Sequence, residues 1–112
     1  MRRSQKQVSY QDAPHFTQPI HSVVACEGSS TAFEVVITGQ KPISVNWLKD
    51  GVNCAENPNY EIEENDIENR YCLVISEVFD EDAGKFSCVA RNAAGHASST
   101  AELVVQVTLV FV

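Results

Sequence analysis

Turn-forming residues interrupt this chain at short intervals, at Glu27-Gly28, Thr38-Gly39, Lys49-Asp50-Gly51, Asn57-Pro58-Asn59, Asp82-Ala83-Gly84 and Asn92-Ala93-Ala94-Gly95. Many short segments between regular turns predict an all-β sandwich. The residues between the turns alternate as strands with one buried face do: Phe33, Val35 and Ile37, then Leu73 and Ile75, then Phe86, Cys88 and Ala90. Val45 and Trp47 supply an inward pair on an earlier strand, with Asn46 between them. Strands are predicted near 15-25, 29-38, 43-49, 52-54, 59-64, 71-77, 84-92 and 95-107. Residues 1-12 carry no pattern and read as a flexible lead-in, 13-107 as the domain, and 108-112 as a C-terminal extension.

At 112 residues the chain has room for one core. Its formal charge is -7, but Arg2, Arg3 and Lys6 all fall in the first eight residues. Residues 9-112 hold 5 basic and 15 acidic side chains, a net of -10. Such a surface repels phosphate backbones and anionic bilayers, so neither nucleic acid nor membrane is an expected partner. The basic start lacks the apolar run of a secretory signal. Leu103 to Val112 is apolar but broken by Gln106 and Thr108, and is far shorter than the ~20 residues that span a bilayer. No asparagine opens an Asn-x-Ser/Thr sequon, which favours an intracellular setting.

Read in order, Glu27-Gly28, Gly39, Trp47-Leu48-Lys49-Asp50-Gly51, Leu73-Val74-Ile75, Asp82-Ala83-Gly84-Lys85-Phe86-Ser87-Cys88 and Ala90-Arg91-Asn92-Ala93-Ala94-Gly95 form a pattern over roughly residues 13 to 105. It resembles the intermediate-set immunoglobulin domains, particularly those of titin and its muscle relatives. The resemblance implies a two-sheet immunoglobulin-like sandwich with a core signature of Val35, Trp47, Leu73, Asp82, Gly84, Phe86 and Cys88.

Two positions depart from the family pattern. Val35 stands where the first cysteine of the inter-sheet disulfide belongs, removing a crosslink that contributes about 2 to 4 kcal/mol. Its side chain is expected to recover part of that by packing against Trp47 and Cys88. Phe86 stands where a tyrosine hydroxyl makes the corner hydrogen bond, a loss of about 1 kcal/mol. A sandwich that forgoes its disulfide suits a reducing compartment, so the expected setting is the cytoplasm, in the sarcomere or actin cytoskeleton.

The remaining reactive side chains form no recognisable site. Cys26, Cys54, Cys72 and Cys88 include no Cys-x-x-Cys pair, so no metal or cofactor is expected. Cys88 reads as core and Cys72 as outward-facing, while a Cys54-Cys72 bridge stays open on sequence alone. His15, His21 and His96 fall on outer strands, away from any activated thiol, and no catalytic constellation is present. Glu61, Glu63, Glu64, Asp66 and Glu68 could hold calcium or a basic partner, but lack the spacing of a calcium loop and read as a solvated edge.

The strands holding Val23 and Ala25, and Leu103 and Val105, are the candidate partner edge, with pairing to each other as the family expectation. Leu109, Val110 and Phe111 are candidates for contact with a neighbouring domain. The resemblance implies a non-enzymatic structural and protein-interaction module of a titin-like sarcomeric or cytoskeletal protein. Such a module bears load and docks other proteins, including neighbouring immunoglobulin domains. The alternative is an extracellular adhesion or receptor domain, which Val35 and the missing sequons disfavour.

Overall fold

The computed structural model describes residues 12-107; the expected lead-in up to residue 11 and the extension over 108-112 lie outside the described residues. Nine strands follow in order: β1 (His15–Gln18), β2 (Val23–Cys26), β3 (Thr31–Thr38), β4 (Ser44–Lys49), β5 (Val52–Asn53), β6 (Tyr60–Asn65), β7 (Arg70–Ile75), β8 (Gly84–Asn92) and β9 (Gly95–Gln106). They form a four-stranded sheet, β1-β3-β7-β6, and a five-stranded sheet, β2-β9-β8-β4-β5. Every described pairing is antiparallel except that of β2 with β9.

The inward residues of the period-2 segments meet between the sheets. Phe33, Val35 and Ile37 from β3, Tyr71, Leu73 and Ile75 from β7, Trp47 from β4, and Phe86, Cys88 and Ala90 from β8 all lie in one buried cluster. Trp47 and Cys88 are directly opposed across β4 and β8, and Val35 is fully buried in the facing sheet. The Phe33 and Phe86 rings join the sheets at 4.8 Å between centroids, tilted by 35°.

The expected single strand over 15-25 is two strands in different sheets. Pro19 separates them: proline has no amide to donate to a ladder. Beyond it Ile20 turns into the core, its amide donating to Ser99 Oγ at 3.1 Å. The expected strand at 52-54 is only Val52–Asn53, followed by a 3₁₀ turn over Cys54–Glu56. Asn53 ends the strand because its side chain accepts the Ala55 amide at 2.8 Å, a local bond that competes with sheet pairing.

Two of the turn motifs have a direct physical reading. Lys49 and Val52 pair across the loop Asp50-Gly51, whose residues both have positive φ (49° and 87°), the conformation that a two-residue hairpin matching the strand twist requires. Gly84 makes room for that hairpin, since a Cβ there would lie 2.6 Å from Asp50 Oδ2. The Asp50 carboxylate accepts the Lys85 amide at 3.0 Å, and the Asp50 amide donates to the Lys85 carbonyl at 2.8 Å. Asp50 and Gly84, far apart in sequence, thus form one joint between β4 and β8.

Candidate functional site

The described chain enters and leaves at opposite poles of the sandwich. At the entry pole Asn92 Nδ2 donates to the carbonyls of Asp12 (2.8 Å) and Gln40 (2.9 Å), while its Oδ1 accepts the amides of Ala94 and Gly95. One asparagine therefore ties the entering segment to two loops. At the other pole the Glu27 amide donates to the Gln106 carbonyl at 2.8 Å. The loops around Gly28 and Val78 are joined there by Gly28 N–H to Val78 O and Val78 N–H to Ser29 O, both at 2.8 Å.

Between the poles, β2 runs parallel to β9 in the register Val23↔Leu103, Val24↔Val104, Ala25↔Val105 and Cys26↔Gln106. The four candidate edge residues are thus brought together, paired with one another. Ala25 and Leu103 are buried, and Val23 and Val105 pack partly buried against the core. The strand repeat carries the Glu27–Gln106 bond back along β2, so the amides of Val23 and Ala25 also point at β9.

The residues of the core signature fall into two groups. Val35, Trp47, Leu73, Phe86 and Cys88 are fully buried. Asp82, 5% exposed, is instead the hub of a polar joint: Oδ2 accepts the Phe79 amide at 2.7 Å and Oδ1 accepts the Tyr60 hydroxyl at 2.6 Å. A tyrosine hydroxyl is thus present at this corner, from β6 rather than from position 86, and it bonds the Asp82 side chain. Tyr60 leans its ring toward Phe86, 6.1 Å between centroids, and reaches the corner from another strand. Burial first, then the Asp82 carboxylate, push the Tyr60 phenol above its ordinary range and hold it as a donor. Sequence reading missed this role because an exposed-looking strand start, Asn59-Tyr60-Glu61, carries no local sign of a partner more than twenty residues away.

All four cysteines are free: Cys54 and Cys88 buried, Cys72 half-buried and Cys26 exposed. Burial pushes the Cys54 thiol from its ordinary 9.0 up to about 11 and the Cys88 thiol up to about 12. The unfolded chain releases these protons from about pH 9 while the folded chain keeps them. The stability contributed by the neutral thiols is therefore complete below about pH 9 and is lost as the pH rises toward 11 and then 12. Urea midpoints are expected to fall between about pH 8 and about pH 10.5, and to fall less in a Cys54→Ala, Cys88→Ala double variant. Equal falls in both proteins would assign the alkaline loss to other groups.

The acidic stretch runs along β6, the edge of the four-stranded sheet, and into the turn that follows it, with Glu61, Glu63 and Glu64 on the strand, Asp66 and Glu68 in the turn, and all five exposed. Arg70 bonds Glu34 at 2.8 Å and Glu68 at 3.1 Å, and its guanidinium holds the Glu34 carboxyl below the usual carboxylate range. Among the described residues no group of three or more His, Cys, Asp or Glu is placed to hold a metal ion. His15, His21 and His96 are exposed, and no described helix is long and apolar enough to cross a membrane.

The immunoglobulin I-set domain model matches residues 14–105. Human palladin is 37% identical over 98 residues, covering 82% of this chain and 7% of palladin. Titin of Drosophila melanogaster is 36% identical over 93 residues, covering 83% of this chain and, to the nearest whole per cent, 0% of that protein. The crystal structure of titin domains z1z2 in complex with telethonin superposes with a TM-score of 0.80 at 40% identity, covering 86% of this chain and 49% of that one. The chain thus spans a small fraction of the curated relatives it matches. With the two-sheet topology, the Trp47–Cys88 core pair and a family match over most of its length, the chain belongs to the immunoglobulin I-set family.

Proposed function

We propose that this domain is a non-enzymatic structural and protein-interaction module of a titin-like sarcomeric or cytoskeletal protein, bearing load along its length and docking other proteins on its strands. The observation that carries the load-bearing half is the β2–β9 patch. β2 and β9 run the same way; the chain enters at the pole where β9 begins, reaches β2 through β1, and leaves at the end of β9. Tension along the chain therefore pulls the two strands past each other. Their hydrogen bonds are loaded together in shear rather than opened one by one.

The Asn92 joint supports the same reading, because it fastens the entering segment before force reaches β1. A domain with four free cysteines, two of them buried, suits a reducing cytoplasm, in the sarcomere or on actin filaments. The similarity to titin domains solved with telethonin supports protein partners, and neighbouring immunoglobulin domains are the nearest candidates. We take residues 13-107 as the mechanical unit.

Single-molecule pulling through the two ends tests this function. A cooperative high-force rupture is expected. Extension at low force without a distinct peak would remove the load-bearing half and leave a docking module.

A further inference from the structure

We propose that the free edge of β2 is a docking strand for an extended segment of another protein, one that carries an apolar side chain at its centre and lysine or arginine at the end lying over Glu27. This deepens the docking half of the proposed function and is independent of the load-bearing half.

Among the described residues four strands end the two sheets: β1 and β6 in one, β2 and β5 in the other. Three of them are poor templates for strand addition. β6 exposes Glu61, Glu63 and Glu64, and charged side chains on an edge block pairing. β1 breaks register between Phe16 and Gln18 and is followed by Pro19. β5 is two residues long. β2, Val23-Val24-Ala25-Cys26, has neither charge nor proline.

The strand repeat fixes which groups are offered. Val23 and Ala25 turn their amides to β9, so Val24 and Cys26 turn theirs to the open side. The usable stretch ends at Cys26, whose carbonyl already accepts the Ser29 amide (3.1 Å) and hydroxyl (2.6 Å). Val24 and Val104, directly paired and 62% and 47% exposed, form an apolar floor beside this edge. The residues that present a partner edge are therefore the alternates of Val23 and Ala25.

Charge selects the occupant. Where β2 ends, the joined loops gather exposed Glu27, Glu77, Asp80 and Glu81, and residues 22-29 and 76-82 contain no lysine or arginine. A second copy paired through its own β2, which has no basic side chain, does not supply the complement. A partner strand with a basic end does.

The test is an amide NMR titration of the full chain with the capped peptide Lys-Lys-Thr-Val-Thr-Val-Thr, and with a control carrying Glu-Glu in place of Lys-Lys. Saturable shifts are expected at Val24, Cys26 and Glu27, with affinity in about the millimolar range or tighter. They should weaken as salt rises and be far smaller with the acidic peptide. Val24→Pro should abolish them, since it removes an edge donor on the open side, where proline is tolerated, and spares the donors to β9. If that variant does not fold, Val24→Lys serves in its place by setting a charge on the edge.

Shifts on β6 instead, equal binding of both peptides, no saturable shifts, or unchanged binding by the variant would each overturn the proposal. So would self-association through β2 without peptide. A parent that ruptures at high force yet binds no peptide would remove only the docking strand.

Discussion

Trp47→Ala is expected to destabilise the domain by about 3 to 5 kcal/mol, the cost of emptying a large, fully buried ring site. Domains of ordinary stability hold about 5 to 15 kcal/mol in total, so at the lower end this change leaves the unfolded state heavily populated. Pairing of β4 with β8 on one side and β5 on the other limits how far the site can collapse to fill the space. Trp47 Nε1 makes no hydrogen bond among the described residues, so Trp47→Phe gives up volume without breaking a bond and should cost less. Urea unfolding followed by far-ultraviolet circular dichroism ranks the three proteins. A cooperative Trp47→Ala protein with a midpoint near the parent's would contradict the packing described.

The second large effect is expected at the Tyr60–Asp82 joint. Tyr60→Phe removes one hydrogen bond to a carboxylate, a loss of about 1.5 to 3 kcal/mol. Asp82→Ala should cost more than that, because it leaves two donors, the Tyr60 hydroxyl and the Phe79 amide, without their acceptor. The double variant should fall short of the sum of the singles, with a coupling of about 0.5 to 3 kcal/mol. Strict additivity in urea unfolding would mean that the two side chains do not act as one joint.

The joint also shows where sequence reading stops. The alternation of Phe33, Val35 and Ile37, and of Phe86, Cys88 and Ala90, identified buried faces because strand geometry writes burial into a two-residue period. Trp47 and Cys88 were placed in the core by the same pattern and are cross-strand neighbours. Tyr60 was not legible, because its partner lies on another element and the bond depends on how the sheets stack. The strand expected over 52-54 ends one residue early, and the burial of Cys54 follows from the turn that Asn53 caps.

The first strand was legible in retrospect, since Pro19 marks the point where the chain changes sheets. Reading it as continuous hid the division of labour between β1, which pairs with β3, and β2, which pairs with β9. It also hid which residues of β2 face outward. The amides of Val23 and Ala25 serve β9, and that of Val24 turns away from it.

Whether β2 and β9 carry load in shear is decided by end-to-end pulling of Val23→Pro, Val24→Pro and parent molecules. Val23→Pro deletes a donor aimed at β9, whereas Val24→Pro deletes one aimed away from it. Val23→Pro is expected to rupture at a lower force, with Val24→Pro close to the parent. Equal forces for Val23→Pro and the parent, or an equal drop in both variants, would place the mechanical barrier elsewhere.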